Sequence, residues 1–164
     1  MFFDRSETGT NRPLLAFILA TLVVGAVGSF FTEPAIPTWY AALLKPGFSP
    51  PNWLFAPVWT ALYVLMAVAA WRVWRSTGLR SPEILLYIVQ LAFNLLWSIL
   101  FFGLHAIFWA LLDLGLLLLL IVGTLAAFWR RDRLAGALML PYLGWSGFAF
   151  LLNLAIWRLN SAGF

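Results

Sequence analysis

Five runs of about twenty mostly apolar residues fill this chain, and the segments between them are too short to hold a folded domain. Crossing a hydrocarbon core of about 30 Å takes roughly 20 residues at about 1.5 Å of rise each. The runs lie near Leu14 to Phe31, Trp53 to Trp74, Ile84 to Phe102, Ala106 to Trp129 and Leu134 to Trp157. They lack the apolar–polar alternation of membrane β-strands, and helices satisfy their own backbone groups in lipid. The expectation is an all-α membrane protein: one bundle of five transmembrane helices over residues 1–164, with a short helical segment in the first loop. Hydrophobic residues make up 63% of the chain and charged residues 10%, against roughly 45–50% apolar usage in soluble domains. A soluble fold is excluded.

The net charge of +4 does not indicate nucleic acid, because the basic residues sit at the ends of runs and form no solvated face. They read as topology signals. Arg5, Arg12, Arg72, Arg75, Arg80, Arg130, Arg131 and Arg133 fall on one side, with Lys45 and Arg158 on the other. The positive-inside rule then puts the N-terminus, second loop and fourth loop in the cytoplasm. The chain has no cysteine, which closes disulfide, thiolate-metal and thiol-nucleophile chemistry. Leu14 to Phe31 has the length of a signal-peptide core, yet no small-residue cleavage site follows, so it is read as the first span.

Between the first two runs lies Trp39-Tyr40-Ala41-Ala42-Leu43-Leu44-Lys45-Pro46-Gly47-Phe48-Ser49-Pro50-Pro51-Asn52-Trp53, too rigid for a passive linker and too polar for lipid. It is expected to cover something held by the bundle. Pro37 and Trp39 should begin this outer loop, a turn or two of helix fits Trp39 to Leu44, and Pro51 opens the second span, where a missing donor costs nothing. Pro57, about two turns in, should bend that span. Gly78, Ser81 and Pro82 mark a tight second loop, and Arg130 to Arg133 leaves so few residues that the last two spans must be antiparallel neighbours. Gly25 and Gly28 suit close packing of the first helix.

Helical spacing sorts the unusual residues into three stripes: Trp59, Tyr63, Met66 and Ala70; Gln90, Asn94, Trp97 and Phe101; Tyr142, Trp145, Ala149 and Asn153. An amide in hydrocarbon must find a partner, so Gln90, Asn94 and Asn153 should face inward. Two readings stand at this point. The stripes line a pocket for a flat, mostly apolar molecule with a few polar edges, or they pack against one another with the amides as interhelical glue. Asp113 is the one acid well inside a span, readable as a proton relay or as a helix-bridging carboxylate. His105 stands in a short loop without a second ligand for a metal. Ser98 and Ser146 lack histidine and acid partners, and no phosphate-binding glycine loop is present, so hydrolase and kinase chemistry is set aside.

In order and spacing these residues resemble the tryptophan-rich sensory protein family, also called the translocator protein or peripheral benzodiazepine receptor family. The likeness runs from about Leu14 to Asn160. It is carried by Trp39-Tyr40 with Lys45-Pro46 and Pro50-Pro51, Trp59-Thr60 with Tyr63, Gln90 to Asn94 with Trp97 and Phe101-Phe102, Asp113, Pro141-Tyr142-Leu143 with Trp145, Leu152-Asn153, and Trp157-Arg158. The resemblance implies a pocket under the first loop for porphyrins such as protoporphyrin IX and haem, or for isoquinoline and benzodiazepine ligands, with no required cofactor and no metal site. It implies a homodimer in a lipid bilayer. Trp59, Asn94, Trp145 and Ala149 would line the pocket, with Trp39, Tyr40 and Pro51 covering it. It also implies an enzymatic alternative, porphyrin degradation dependent on light or oxygen, in which Trp59 and Trp145 would be catalytic. The cholesterol motif of animal relatives is incomplete, since Leu154 stands where its tyrosine would be.

Overall fold

The computed structural model describes residues 11–161; Arg5, counted above among the topology signals, lies outside them. Five long helices carry the chain: α1 Asn11–Ala35, α2 Phe55–Thr77, α3 Pro82–Ser98, α4 Ile107–Arg131 and α5 Arg133–Ser161. All five, with the short turns that extend them, are long and apolar enough to cross a membrane, and there is no strand among the described residues. This is an all-α, multi-pass membrane architecture. The helices pack in the ring α1, α2, α5, α4, α3 and back to α1, and α2 also touches α3 and α4 across it.

The turns follow from residue chemistry. Gly78 takes a positive φ of 80°, a backbone that glycine adopts without strain, and Ser81 caps α3 by accepting from the Ile84 amide at 3.3 Å. Asp132 alone separates α4 from α5. Its Oδ1 accepts from the amides of Leu134 and Ala135, while Oδ2 accepts from Arg72 Nε at 2.6 Å. That arginine holds the Asp132 carboxyl below its ordinary pKa. Arg131 donates in the same way to Glu83 at 2.6 Å, so α2, α3 and both ends of the α4–α5 turn are tied together.

The first loop differs from expectation. Pro37 and Trp39 do not begin it. Helix α1 instead runs on through Pro34 into a π turn, Ile36–Tyr40. A proline in a helix removes a donor and crowds the carbonyl four residues back; the wider π register relieves that crowding, and the chain stays helical. Lys45 then closes the helix end, its Nζ donating to the carbonyls of Tyr40 at 2.7 Å, Leu43 at 3.0 Å and Ala41 at 3.3 Å. Pro57 does not fall two turns into its helix either. Residues Asn52–Leu54 form a separate 3₁₀ turn and α2 starts at Phe55, so Pro57 sits in the first turn, where no donor is needed. The third loop also changes character. Residues Ile99–Gly103 make a second π turn, and His105 adopts a φ of 56°, rare for a side-chain-bearing residue.

Candidate functional site

The upper half of the bundle, beneath the first loop, contains a hollow of about 320 Å³ between α1, α2 and α3. That is within the roughly 300–1,000 Å³ of small-molecule sites. Two contacts hold α1 against α3 below and above it. Thr21 and Tyr87 share a buried hydroxyl hydrogen bond of 2.5 Å, and Phe31 lies so close to Gly103 that a Cβ there would sit 2.9 Å from its ring. Between these points α1 presents Gly25, Ala26, Gly28 and Ser29, side chains too small to fill the gap.

The facing wall is aromatic. Trp59 on α2 lies 5.7 Å from Tyr63, 6.4 Å from Trp97 and 6.3 Å from Tyr142 between ring centroids. Tyr63 Oη donates to Asn94 Oδ1 at 2.6 Å, and Asn94 Nδ2 donates to Tyr142 Oη at 3.2 Å. The amide is thereby fixed in orientation, with both of its ends engaged. Tyr63 reaches this position because residue 25 has no side chain: a Cβ there would lie 2.5 Å from the tyrosine ring. Tyr40, Asn52 and Phe55 form the roof, and Thr32, Glu33 and Thr60 add polar groups. The hollow is not sealed, since Ala26, Ser29, Ala56 and Thr60 remain exposed along it.

The residues singled out from the sequence separate into four groups. Tyr40, Trp59, Tyr63, Asn94 and Trp97 line the large hollow. Trp145, Ala149 and Asn153 face a second, adjoining space of about 20 Å³ that shares Tyr40, Phe55, Trp59 and Trp97 as its wall; its volume is about that of one water. There Trp97 Nε1 donates to Asn153 Oδ1 at 3.1 Å, and Asn153 Nδ2 donates to the Ile107 carbonyl at 3.1 Å. Gln90 and Tyr142 are fully buried behind the wall, and Gln90 meets only Met66 Sδ, at 3.9 Å. Trp39 and Pro51 lie outside the lining: Trp39 stacks on His105 with centroids 4.2 Å apart, and Pro51 is exposed ahead of the 3₁₀ turn.

Sequence reading missed the α1 wall entirely. Its signal was present in Gly25, Gly28, Ser29 and Thr32, a small and polar stripe at helical spacing, of which the sequence reading takes up only Gly25 and Gly28, as suited to close packing. It also missed Asn160, whose amide donates to the Leu44 carbonyl at 3.0 Å and accepts from the Leu44 amide at 3.1 Å. This two-bond clamp fastens the first loop to the end of α5.

The sequence profile of the TspO/MBR family matches residues 17–158. The chain belongs to that family. It is 43% identical over 149 residues to the tryptophan-rich protein TspO of Archaeoglobus fulgidus, covering 90% of this chain and 97% of that one. To the translocator protein of Homo sapiens it is 38% identical over 152 residues, covering 90% of each. The tryptophan-rich sensory protein of Cereibacter sphaeroides shares 42% over 122 residues, 74% of this chain and 77% of its own length. Family membership thus agrees with the five-helix membrane architecture.

Proposed function

We propose that this protein is a membrane receptor or translocator whose large hollow binds flat, mostly apolar molecules, with porphyrins such as protoporphyrin IX or haem as the guest class. One observation carries the reading. A space of ligand size is walled on one side by Trp59, Tyr63 and Trp97 and on the other by side chains small enough to leave room for a ring system. Ring faces would lie against the aromatic wall, with Asn52 and Thr60 available to polar edges. The basic end of the bundle would face the cytoplasm, and the hollow would lie under the opposite, outer surface.

The test is a titration of the purified protein with protoporphyrin IX in the dark, read by tryptophan fluorescence. Saturable quenching is expected in wild type, with affinity weaker by about tenfold, ~1.4 kcal/mol, in Trp59→Ala. A flat wild-type curve removes the proposal. The enzymatic reading has its own supporting observation, since Trp59 and Trp145 border the same small space. It requires that illumination bleach bound porphyrin in wild type and not in Trp145→Phe, while dark binding survives.

A further inference from the structure

The opposite end of the bundle carries a groove of about 450 Å³ lined by Arg72, Arg75, Ser76, Arg131 and Asp132. We infer that it holds the phosphate of an anionic phospholipid headgroup. Phe17 of α1 packs on Trp74 of α2, which brings Arg12 to the same end as Arg72, Arg75, Arg80, Arg130, Arg131 and Arg133. Among the described residues the only carboxylates there are Glu83 and Asp132. Both are already committed, Glu83 to Arg131 and Asp132 to Arg72, each at 2.6 Å and each through the arginine Nε. Asp132 also caps α5. A guanidinium carries five donors, so pairing through Nε leaves the terminal N–H groups for another acceptor.

Arg75 has no carboxylate within ion-pair distance among the described residues. Its guanidinium lies 5.0 Å from the Trp71 ring, a cation–π contact that restrains the group without neutralising it. The Ser76 hydroxyl is donated to the Val73 carbonyl at 2.9 Å, so the arginines are the groove's free donors. Helix ends add little: α2 and α4 finish here while α1, α3 and α5 begin here, and their opposed dipoles partly offset one another. What remains is an excess of planar donors around a concave space, the arrangement that grips phosphate in two-bond fashion.

The source of the phosphate follows from where the groove lies. Leu79, Trp129 and Leu134, each within three residues of a lining residue in the chain, are exposed apolar groups. Exposed tryptophan at a span end marks the level of lipid headgroups. Basic pockets between membrane helices at this level suit anionic lipid, and a lipid can bury its acyl chain along those apolar side chains where a free ion cannot.

Thermal unfolding of the full-length protein in neutral detergent tests this, with added phosphatidylglycerol, phosphatidylcholine or sodium phosphate at equal ionic strength. Phosphatidylglycerol should raise the melting temperature saturably, and the other two should not. Arg75→Ala should raise the half-saturating phosphatidylglycerol concentration about tenfold, with Arg75→Lys intermediate because it keeps the charge and loses the fork. Arg80→Ala, which removes the same charge outside the groove, should change it by less than about twofold. Equal shifts in Arg75→Ala and Arg80→Ala would mean a diffuse field and overturn the site. Equal stabilisation by phosphatidylcholine, or none by any lipid, would overturn recognition of anionic headgroups. Equal stabilisation by sodium phosphate would replace the lipid with a free anion.

Discussion

The two hollows beneath the first loop share an aromatic wall yet differ in volume from about 320 Å³ to about 20 Å³. The difference comes from the helix opposite that wall. On the α1 side the wall faces Gly25, Ala26, Gly28 and Ser29. On the α5 side it faces Trp145, Phe148, Leu152 and Ile156, which fill the space. Aromatic residues therefore define the surface a guest would meet, and small residues on the partner helix decide whether there is room for one.

The strongest way to break this contrast is to fill the large hollow from a position that has nowhere else to go. Ser98 is nine-tenths buried and lines it. Ser98→Phe should weaken porphyrin binding by at least about 100-fold, ~2.7 kcal/mol, whereas Ser98→Ala should bind like wild type in the same dark titration. If Ser98→Phe folds and binds normally, the guest does not use this space.

Next in size is Gly25→Ala. The added methyl would lie 2.5 Å from the Tyr63 ring, forcing it off Asn94 or pushing α1 outward. Overpacking of this kind costs about 1–3 kcal/mol, against a gain of up to about 1 kcal/mol in helix propensity. The clash should win, lowering the melting temperature in detergent. An unchanged or higher value would show that α1 is free to move, and that the hollow's volume is not fixed by its contacts at Thr21 and Phe31.

These two positions also show where sequence reading stopped. The five spans were legible because length and apolarity in lipid leave few alternatives, and the turn at Gly78, Ser81 and Pro82 because each residue there has one backbone role. Asn94 was legible as inward-facing because a lone amide in hydrocarbon must find partners, and it finds Tyr63 and Tyr142. The α1 wall was not. Small residues permit either close helix contact or an open gap, and the choice is made by distant contacts such as Thr21 with Tyr87, which no periodicity reports. The proline rule failed at Pro37 for a related reason. It assumes a fixed helical register, and the π turn Ile36–Tyr40 changes the register.

Ala149→Leu addresses the smaller hollow, where Ala149 is nine-tenths buried. A guest confined to the α1 side should bind this variant within about threefold of wild type, ~0.6 kcal/mol. A guest that spreads the shared wall and touches both Trp59 and Trp145 should lose far more. The ratio of the Ala149→Leu and Ser98→Phe effects, from one titration series, therefore measures how far the two spaces merge on binding.

The smallest expected effect concerns charge. Glu33 is the only carboxylate on the lining of the large hollow among the described residues, and no arginine or lysine lines it. The nearby Lys45 ammonium is engaged by three carbonyls. A porphyrin propionate entering beside Glu33 would meet like charge at an exposed site, where such interactions are worth about 0.2–1 kcal/mol. Glu33→Gln should therefore tighten protoporphyrin IX binding by about two- to fivefold at low salt, and the advantage should shrink as ionic strength rises. A dimethyl ester of the same porphyrin, lacking the propionate charges, should bind both forms alike. If Glu33→Gln weakens binding of the dianion instead, Glu33 holds the guest through a hydrogen bond rather than repelling it, and the propionates point away from the open side of α1.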